Sequence, residues 1–284
     1  MVVYSFAFEW GKFGTYKGEF KHPWDIATGS QGQVFVADAD NNRIQRFDKY
    51  GSYQLSFGRG QNPSYTLIHN ELLTPVGICL DEDKNEIYVT DDHRRVLVFD
   101  TNGNFLRNWQ DHILGGRGLA INPIDINSIF VVNTSLSSIE VYDTKGYKKF
   151  RWGQQGNGNN DLDRPNSIAF DSQGYLFVTD TNNHRIMKFK DDATYAGQWG
   201  TFGTGKDEFT FPLGITIDLD DNVYVTDSEG IVRIFDNTGN YITSFGSIGA
   251  GQGQFNGPSG IDTIKGMSIY IADKINHRIQ VFEL

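Results

Sequence analysis

Six times along the chain a five-residue apolar run recurs, and in five of the six it ends in aspartate. The runs are Val34-Phe35-Val36-Ala37-Asp38, Ile87-Tyr88-Val89-Thr90-Asp91, Ile129-Phe130-Val131-Val132-Asn133, Leu176-Phe177-Val178-Thr179-Asp180, Val223-Tyr224-Val225-Thr226-Asp227 and Ile269-Tyr270-Ile271-Ala272-Asp273. Their last residues lie 53, 42, 47, 47 and 46 positions apart. A period of this length is that of a supersecondary unit which cannot bury its apolar face alone and must stack on its neighbours. The runs are β-branched and aromatic with little polar alternation, as expected of strands covered on both faces.

Three further strands complete each unit. Before each run, a Pro or Gly opens a short stretch such as Pro23-Trp24-Asp25-Ile26-Ala27 or Pro212-Leu213-Gly214-Ile215-Thr216, whose small residues suit a crowded innermost strand. After it comes a strand of the type Arg43-Ile44-Gln45-Arg46-Phe47, in which the Ile and the aromatic, three apart, point to opposite faces and so to opposite neighbours. A fourth strand usually closes in aromatic-Gly, as in Phe57-Gly58, Trp199-Gly200 and Phe245-Gly246. Four strands per unit is the count of a propeller blade. The sixth unit stops after its third strand at Leu284, while Tyr4-Ser5-Phe6-Ala7-Phe8-Glu9-Trp10-Gly11 at the other end matches a fourth strand. The expected fold is therefore all-β: one six-bladed β-propeller of four-stranded antiparallel blades over residues 1–284, its ring closed by the N-terminal strand pairing with the C-terminal blade. Closure removes the sheet edges that would otherwise seed aggregation. With 38% hydrophobic residues and 32 glycines, the composition supplies both the core and the turns.

Three units carry a longer pattern: Asp38-Ala39-Asp40-Asn41-Asn42-Arg43-Ile44, Asp180-Thr181-Asn182-Asn183-His184-Arg185-Ile186 and Asp273-Lys274-Ile275-Asn276-His277-Arg278-Ile279. This pattern resembles the NHL repeat, and the resemblance extends over essentially the whole chain. It implies the propeller fold. Of function it implies little, since relatives include RNA-binding and protein-binding modules, sensor domains and a peptide-amidating lyase. Within the chain, Arg43, Arg95, Arg185 and Arg278 accompany Asp38, Asp91, Asp180 and Asp273, and the unit that has Asn133 has Ser138 in the Arg position. Loss of both together points to internal charge-assisted pairs, that is, to a structural motif. The fifth unit keeps Asp227 but has Ile231 in the Arg position, which leaves that rule incomplete. His184 and His277, inside the same motif, are expected to hydrogen-bond between elements.

The net charge of −10 disfavours nucleic acid as a partner. Cys79 is the single cysteine, so no intrachain disulfide can form, and Gly77-Ile78-Cys79-Leu80 is an apolar setting for a structural thiol. There is no run of 18 apolar residues, and Met1-Val2-Val3-Tyr4 lacks the features of a secretion signal, so no compartment is indicated. The Asp- and Gly-rich turns, including Asp171-Ser172-Gln173-Gly174, have the chemistry of tight hairpins rather than of a calcium loop. No metal and no cofactor is expected.

In such a ring, the loops entering the inner strands and those joining the second and third strands share one face around the channel mouth. Departures from the repeat on that face are the candidate ligand contacts. The insertion from Arg59 to Thr74 carries Tyr65, His69 and Glu71. The position after each Pro or Gly holds Trp24, Val76, Arg117, Asn166, Leu213 and Ser259, an asymmetric mixed set. Asp25 and Ser167 replace the glycine that follows in the other units. Trp24, Asp25, Tyr65, His69, Arg117 and Asn166 form a candidate ligand set suited to a peptide. The expectation is a monomeric, non-catalytic module that recognises a protein or peptide at the channel mouth. The alternative is a metal-dependent lyase or hydrolase using His22, His69 and His112 at the mouth. A regucalcin-like metal site matches only at Asn166, and RNA binding through Arg94, Arg95, Arg117 and Arg164 is the weakest alternative.

Overall fold

The computed structural model of the protein describes residues 3–58, 70–110, 115–264 and 268–284. Blade 1 consists, from the axis outward, of Pro23–Thr28, Gln33–Asp38, Arg43–Asp48 and Tyr53–Phe57, paired antiparallel in that order. Blades 2 to 5 repeat the arrangement from the inner strands Pro75–Asp81, Gly116–Ile121, Ile168–Phe170 and Pro212–Ile217. Blade 6 takes Pro258–Ile264, Ser268–Asp273 and Arg278–Glu283 from one end of the chain and its outer strand, Ser5–Trp10, from the other. Ser5 lies opposite Glu283 and Trp10 opposite Ile279, so the ring closes as expected. Each inner strand contacts the inner strands of both neighbouring blades, which completes the circle.

The core is divided into six clusters, one at each junction between blades. Period-2 geometry explains how one strand serves two junctions. Ile44 packs toward blade 2 while Phe47, three residues on, packs toward blade 6. Ile186 and Phe189 divide in the same way between blades 5 and 3. The clusters are further sealed by fully buried Phe20, Leu162, Phe209 and Phe255, which come not from the blades but from the loops leading into the inner strands. Those loops are the Gly-rich stretches, and each folds back on itself through a short parallel contact. Thr201 pairs with Glu208 and Ser247 with Gln254, with single bridges Phe13–Phe20 and Gln155–Leu162 in the other two. Gly200, at φ +103°, opens one of them, and a Cβ there would meet the Phe209 ring at 2.7 Å.

At the axis the inner strands touch. A Cβ on Gly77 or Gly214 would come within 2.0 Å of the carbonyl oxygen of Arg117 or Ser259 on the next blade. Glycine at this level is therefore set by the approach of neighbouring backbones. Only blades 1 and 4, on opposite sides of the ring, place side chains there, namely Asp25 and Ser167.

Candidate functional site

The face onto which the inner strands open is built on a repeated polar corner. Asp38 is fully buried and accepts from Lys21 N (2.8 Å), Asn41 Nδ2 (2.9 Å), Arg43 Nε (2.7 Å) and Gln45 Nε2 (3.0 Å). Arg43 spends its remaining donors on the carbonyls of Thr15, Tyr16 and Glu19. The corner thus clamps the loop that precedes its own blade. Arg185 does the same through Asp180 and the carbonyls of Asn157, Gly158 and Asp161, and Arg278 through Asp273, Gly251 and Gln254. Arg95 pairs with Asp91 at 3.0 Å and reaches the Glu71 carbonyl. Burial holds Asp38, Asp91 and Asp180 above the ordinary carboxylate value against the opposing pull of their arginines.

Blade 5 corrects the expectation that its aspartate lacks a cation. Arg233, two residues beyond the Arg position, sets Nη1 3.2 Å from Asp227 Oδ2. It occupies the place of Gln45 and Gln280, whose amides meet the aspartate in blades 1 and 6, so the charge has moved one pleat along the same face of the strand. In blade 3 the polarity is inverted: buried Glu140 stands at this place, accepts from Asn133 Nδ2 and pairs with Lys148 at 2.5 Å. His184 and His277 adopt left-handed backbone at the end of the corner turn. His184 Nδ1 lies 2.5 Å from the Thr210 carbonyl, and His277 Nδ1 accepts from His22 N at 3.1 Å.

At the centre of this face, Trp24 gathers two cations from other blades. The Arg117 guanidinium lies 4.5 Å and the Lys274 ammonium 4.1 Å from the indole centroid. Burial lowers the basicity of both; for Lys274 the nearby charge of Arg117 adds to this, and for Arg117 that of Arg164. Arg117 Nη1 is buried without a hydrogen-bond partner. Asp92 bears electrostatically on Arg117 and Asp40 on Lys274, but Asp40 is bonded to His22 Nδ1 at 2.6 Å. Neither Arg117 nor Lys274 forms an ion pair among the described residues.

The mouth is a floor rather than a hole. Between Trp24, Asp25, Val76, Asn166 and Ser259 the free volume is about 10 Å³, on the order of a single water. The larger space, about 260 Å³, opens on the opposite face and is lined by Thr28, Leu80, Ile121, Phe170 and Ile217 at the far ends of the inner strands. Asp25 lines both this cavity and the mouth. It accepts from Ile78 N at 3.0 Å, and burial pushes it up to about 7, with Asp262 adding to the shift. Asp262, also raised by burial, accepts from Thr28 N (2.7 Å), Thr28 Oγ1 (3.0 Å) and Thr216 Oγ1 (2.9 Å). Burial likewise raises the Cys79 thiol, as befits a structural cysteine.

Of the six candidate ligand residues, the fold brings Trp24 and Arg117 together, sets Asn166 beside them, and leaves Asp25 between the mouth and the opposite cavity, lining both. Tyr65 and His69 lie outside the described residues, as does His112. Among the described residues no three of His, Cys, Asp and Glu are placed to share a metal ion. Lys274 escapes sequence reasoning because it lies in a corner turn of blade 6, and only ring closure carries it to blade 1.

Around this centre stand exposed apolar side chains on the clamped loops: Phe13, Tyr16, Phe202, Phe211 and Ile248. Phe13 leans on His277 and Phe202 on His184, with ring centroids 5.0 and 4.9 Å apart.

The family model for the NHL repeat matches residues 20–47 and 162–189, which hold the first three strands of blades 1 and 4. Six blades of this form complete the case. The chain carries NHL repeats within a six-bladed propeller. Among its relatives is Protein brain tumor of Drosophila melanogaster, 28% identical over 149 residues, 51% of this chain and 14% of that protein. B-box type zinc finger protein ncl-1 of Caenorhabditis elegans is 26% identical over 140 residues, 36% of this chain and 16% of that protein. The NHL propeller therefore corresponds to a small part of these much longer relatives. Among solved structures, a Bacteroides thetaiotaomicron protein of unknown function aligns over 99% of this chain and 75% of its own, at 16% identity and a TM-score of 0.73. The virginiamycin B lyase of Staphylococcus aureus aligns over 99% of this chain and all of its own, at 15% identity and a TM-score of 0.66. These likenesses establish the fold.

Proposed function

We propose that this propeller is a binding module that holds a protein partner on the face carrying Trp24, and that it performs no chemistry there. The observation that carries this reading is the shape and make-up of that face. Among the described residues it has a shallow polar centre with little free space, bordered by exposed Phe13, Phe202, Phe211 and Ile248 on loops fixed from beneath by buried Asp–Arg corners. Exposed apolar side chains gathered on one rigid, shallow face are of the kind proteins use to bind proteins. Catalytic sites and small-ligand sites, by contrast, are concave. In the relatives the matching segment is a small fraction of the chain, which suits a recognition unit serving a larger protein.

The test is affinity capture from extracts of the source cells, with partners identified by mass spectrometry. Phe13→Ala/Phe202→Ala/Ile248→Ala on the Trp24 face is compared with Tyr147→Ala/Leu219→Ala on the opposite one, and all proteins are checked for unchanged melting. The first set is expected to lose partners that the second retains. Partners that survive the first set and are lost with the second would move the site to the opposite face.

A further inference from the structure

We propose that the centre of this face receives a carboxylate from the partner: an acidic side chain in a segment with apolar neighbours, seated between Arg117 and Lys274 beside Trp24. The proposal rests on the protein-binding reading above and names the chemistry of the partner.

Three observations lead to it. First, the chain carries a net charge of −10, yet it brings two cations from blades 3 and 6 onto one indole of blade 1 and gives neither a carboxylate partner among the described residues. A buried or half-buried cation is ordinarily paired, because desolvating it alone is costly. Second, Arg117 Nη1 is cut off from solvent with no hydrogen-bond acceptor, whereas Arg43, Arg185 and Arg278 of the corner motif hold acceptors of their own. Third, burial already works against the charges of Arg117 and Lys274, with repulsion from Arg164 on the first and from Arg117 on the second, and an incoming anion would relieve both. The guanidinium fork matches a carboxylate in two-point geometry, with the ammonium as an adjacent point charge.

The same observations favour a carboxylate over a nucleic acid. Trp24 is already engaged by both cations and is not an open platform on which a base could stack. A strand of phosphates crossing the face would also run past the exposed carboxylates of Asp40 and Asp92, whereas a single carboxylate needs only the centre. The rim of Phe13, Phe202 and Ile248 then meets the apolar neighbours of the inserted residue.

The experiment is fluorescence anisotropy with three labelled probes: a Gly-Ser peptide with Glu-Phe-Glu at its centre, its Gln-Phe-Gln counterpart, and a decauridylate. The protein is expected to bind the glutamate peptide about tenfold or more tighter than the glutamine one, and less tightly as salt rises. Arg117→Gln and Lys274→Gln should each weaken it about fivefold or more, with melting curves unchanged. Arg117→Lys, which keeps the charge, should retain part of the affinity and guards against a folding artefact. Equal binding of the two peptides, or variants that bind like the parent, would overturn the proposal. So would failure of both peptides to bind, an outcome that leaves the capture experiment with the rim variants to decide the broader reading by itself. Decauridylate binding in place of the glutamate peptide, lost in the same variants, would replace the carboxylate with a phosphate backbone.

Discussion

Asp38 illustrates how one side chain can organise a face. It is buried, it accepts from an arginine, two amides and a backbone N–H, and through Arg43 it fixes three carbonyls of the loop that bears Phe13 and Tyr16. Buried ion pairs of this kind contribute little against an apolar replacement of both partners, but removing one partner strands the other's charge. Asp38→Ala should therefore cost about 3–5 kcal/mol in denaturant unfolding, and the double substitution Asp38→Ala/Arg43→Met clearly less than the sum of its parts. Strict additivity would mean that the two side chains act independently and that the corner is not a clamp. The motif was legible in the sequence because its residues are close in the chain. Arg233 was not, because the requirement is for a cation at the aspartate rather than at one position, and strand geometry offers a second position on the same face two residues on.

At the scale of the element, the strand Ser5–Trp10 carries more than its length suggests. Among the described residues its only sheet partner is the last strand of the chain, and Trp10 packs against Phe47 of blade 1 and Tyr270 of blade 6. A chain lacking residues 1–10 would expose the edge of Arg278–Glu283 and open the junction between blades 6 and 1. Its melting temperature should fall by about 10 °C or more, with aggregation on heating. A melting curve that superimposes on that of the full chain would show that closure contributes nothing to stability. The inter-strand loops were less legible. Their glycines were expected to make turns, and they do, but the burial of Phe20, Leu162, Phe209 and Phe255 went unnoticed. The signal was present as a repeated spacing of nine residues from Gly11, Gly153, Gly200 and Gly246. It was obscured because these side chains lie outside any strand periodicity.

For the whole molecule, the ring forces acids from different blades into one channel. Asp25 is raised from its ordinary range to about 7 by burial and by Asp262 from the sixth blade. A carboxyl whose pKa is higher in the folded than in the unfolded chain binds more protons when folded. Its contribution is thus complete below about pH 4 and is lost as pH rises toward 7. Asp25→Asn, whose amide oxygen can still accept from Ile78 N, should flatten that part of the pH profile. It should raise stability at pH 8 by about 1–2 kcal/mol, the linkage value discounted because the side chain also faces the open cavity, while changing little at pH 4. Equal effects at the two pH values would mean that Asp25 titrates as an ordinary surface acid. The sequence by itself determined the blade count, the order of strands, the division of each third strand between two junctions, and the closure of the ring. All of these follow from local periodicity and from a repeat that matches itself. Only the tertiary structure decided that Lys274 meets Arg117 on Trp24, that Asp25 feels the charge of Asp262 from the sixth blade, and that the mouth is a floor. Each of these joins residues on different blades, and their distance is set by the curvature of the whole ring, which no single repeat encodes.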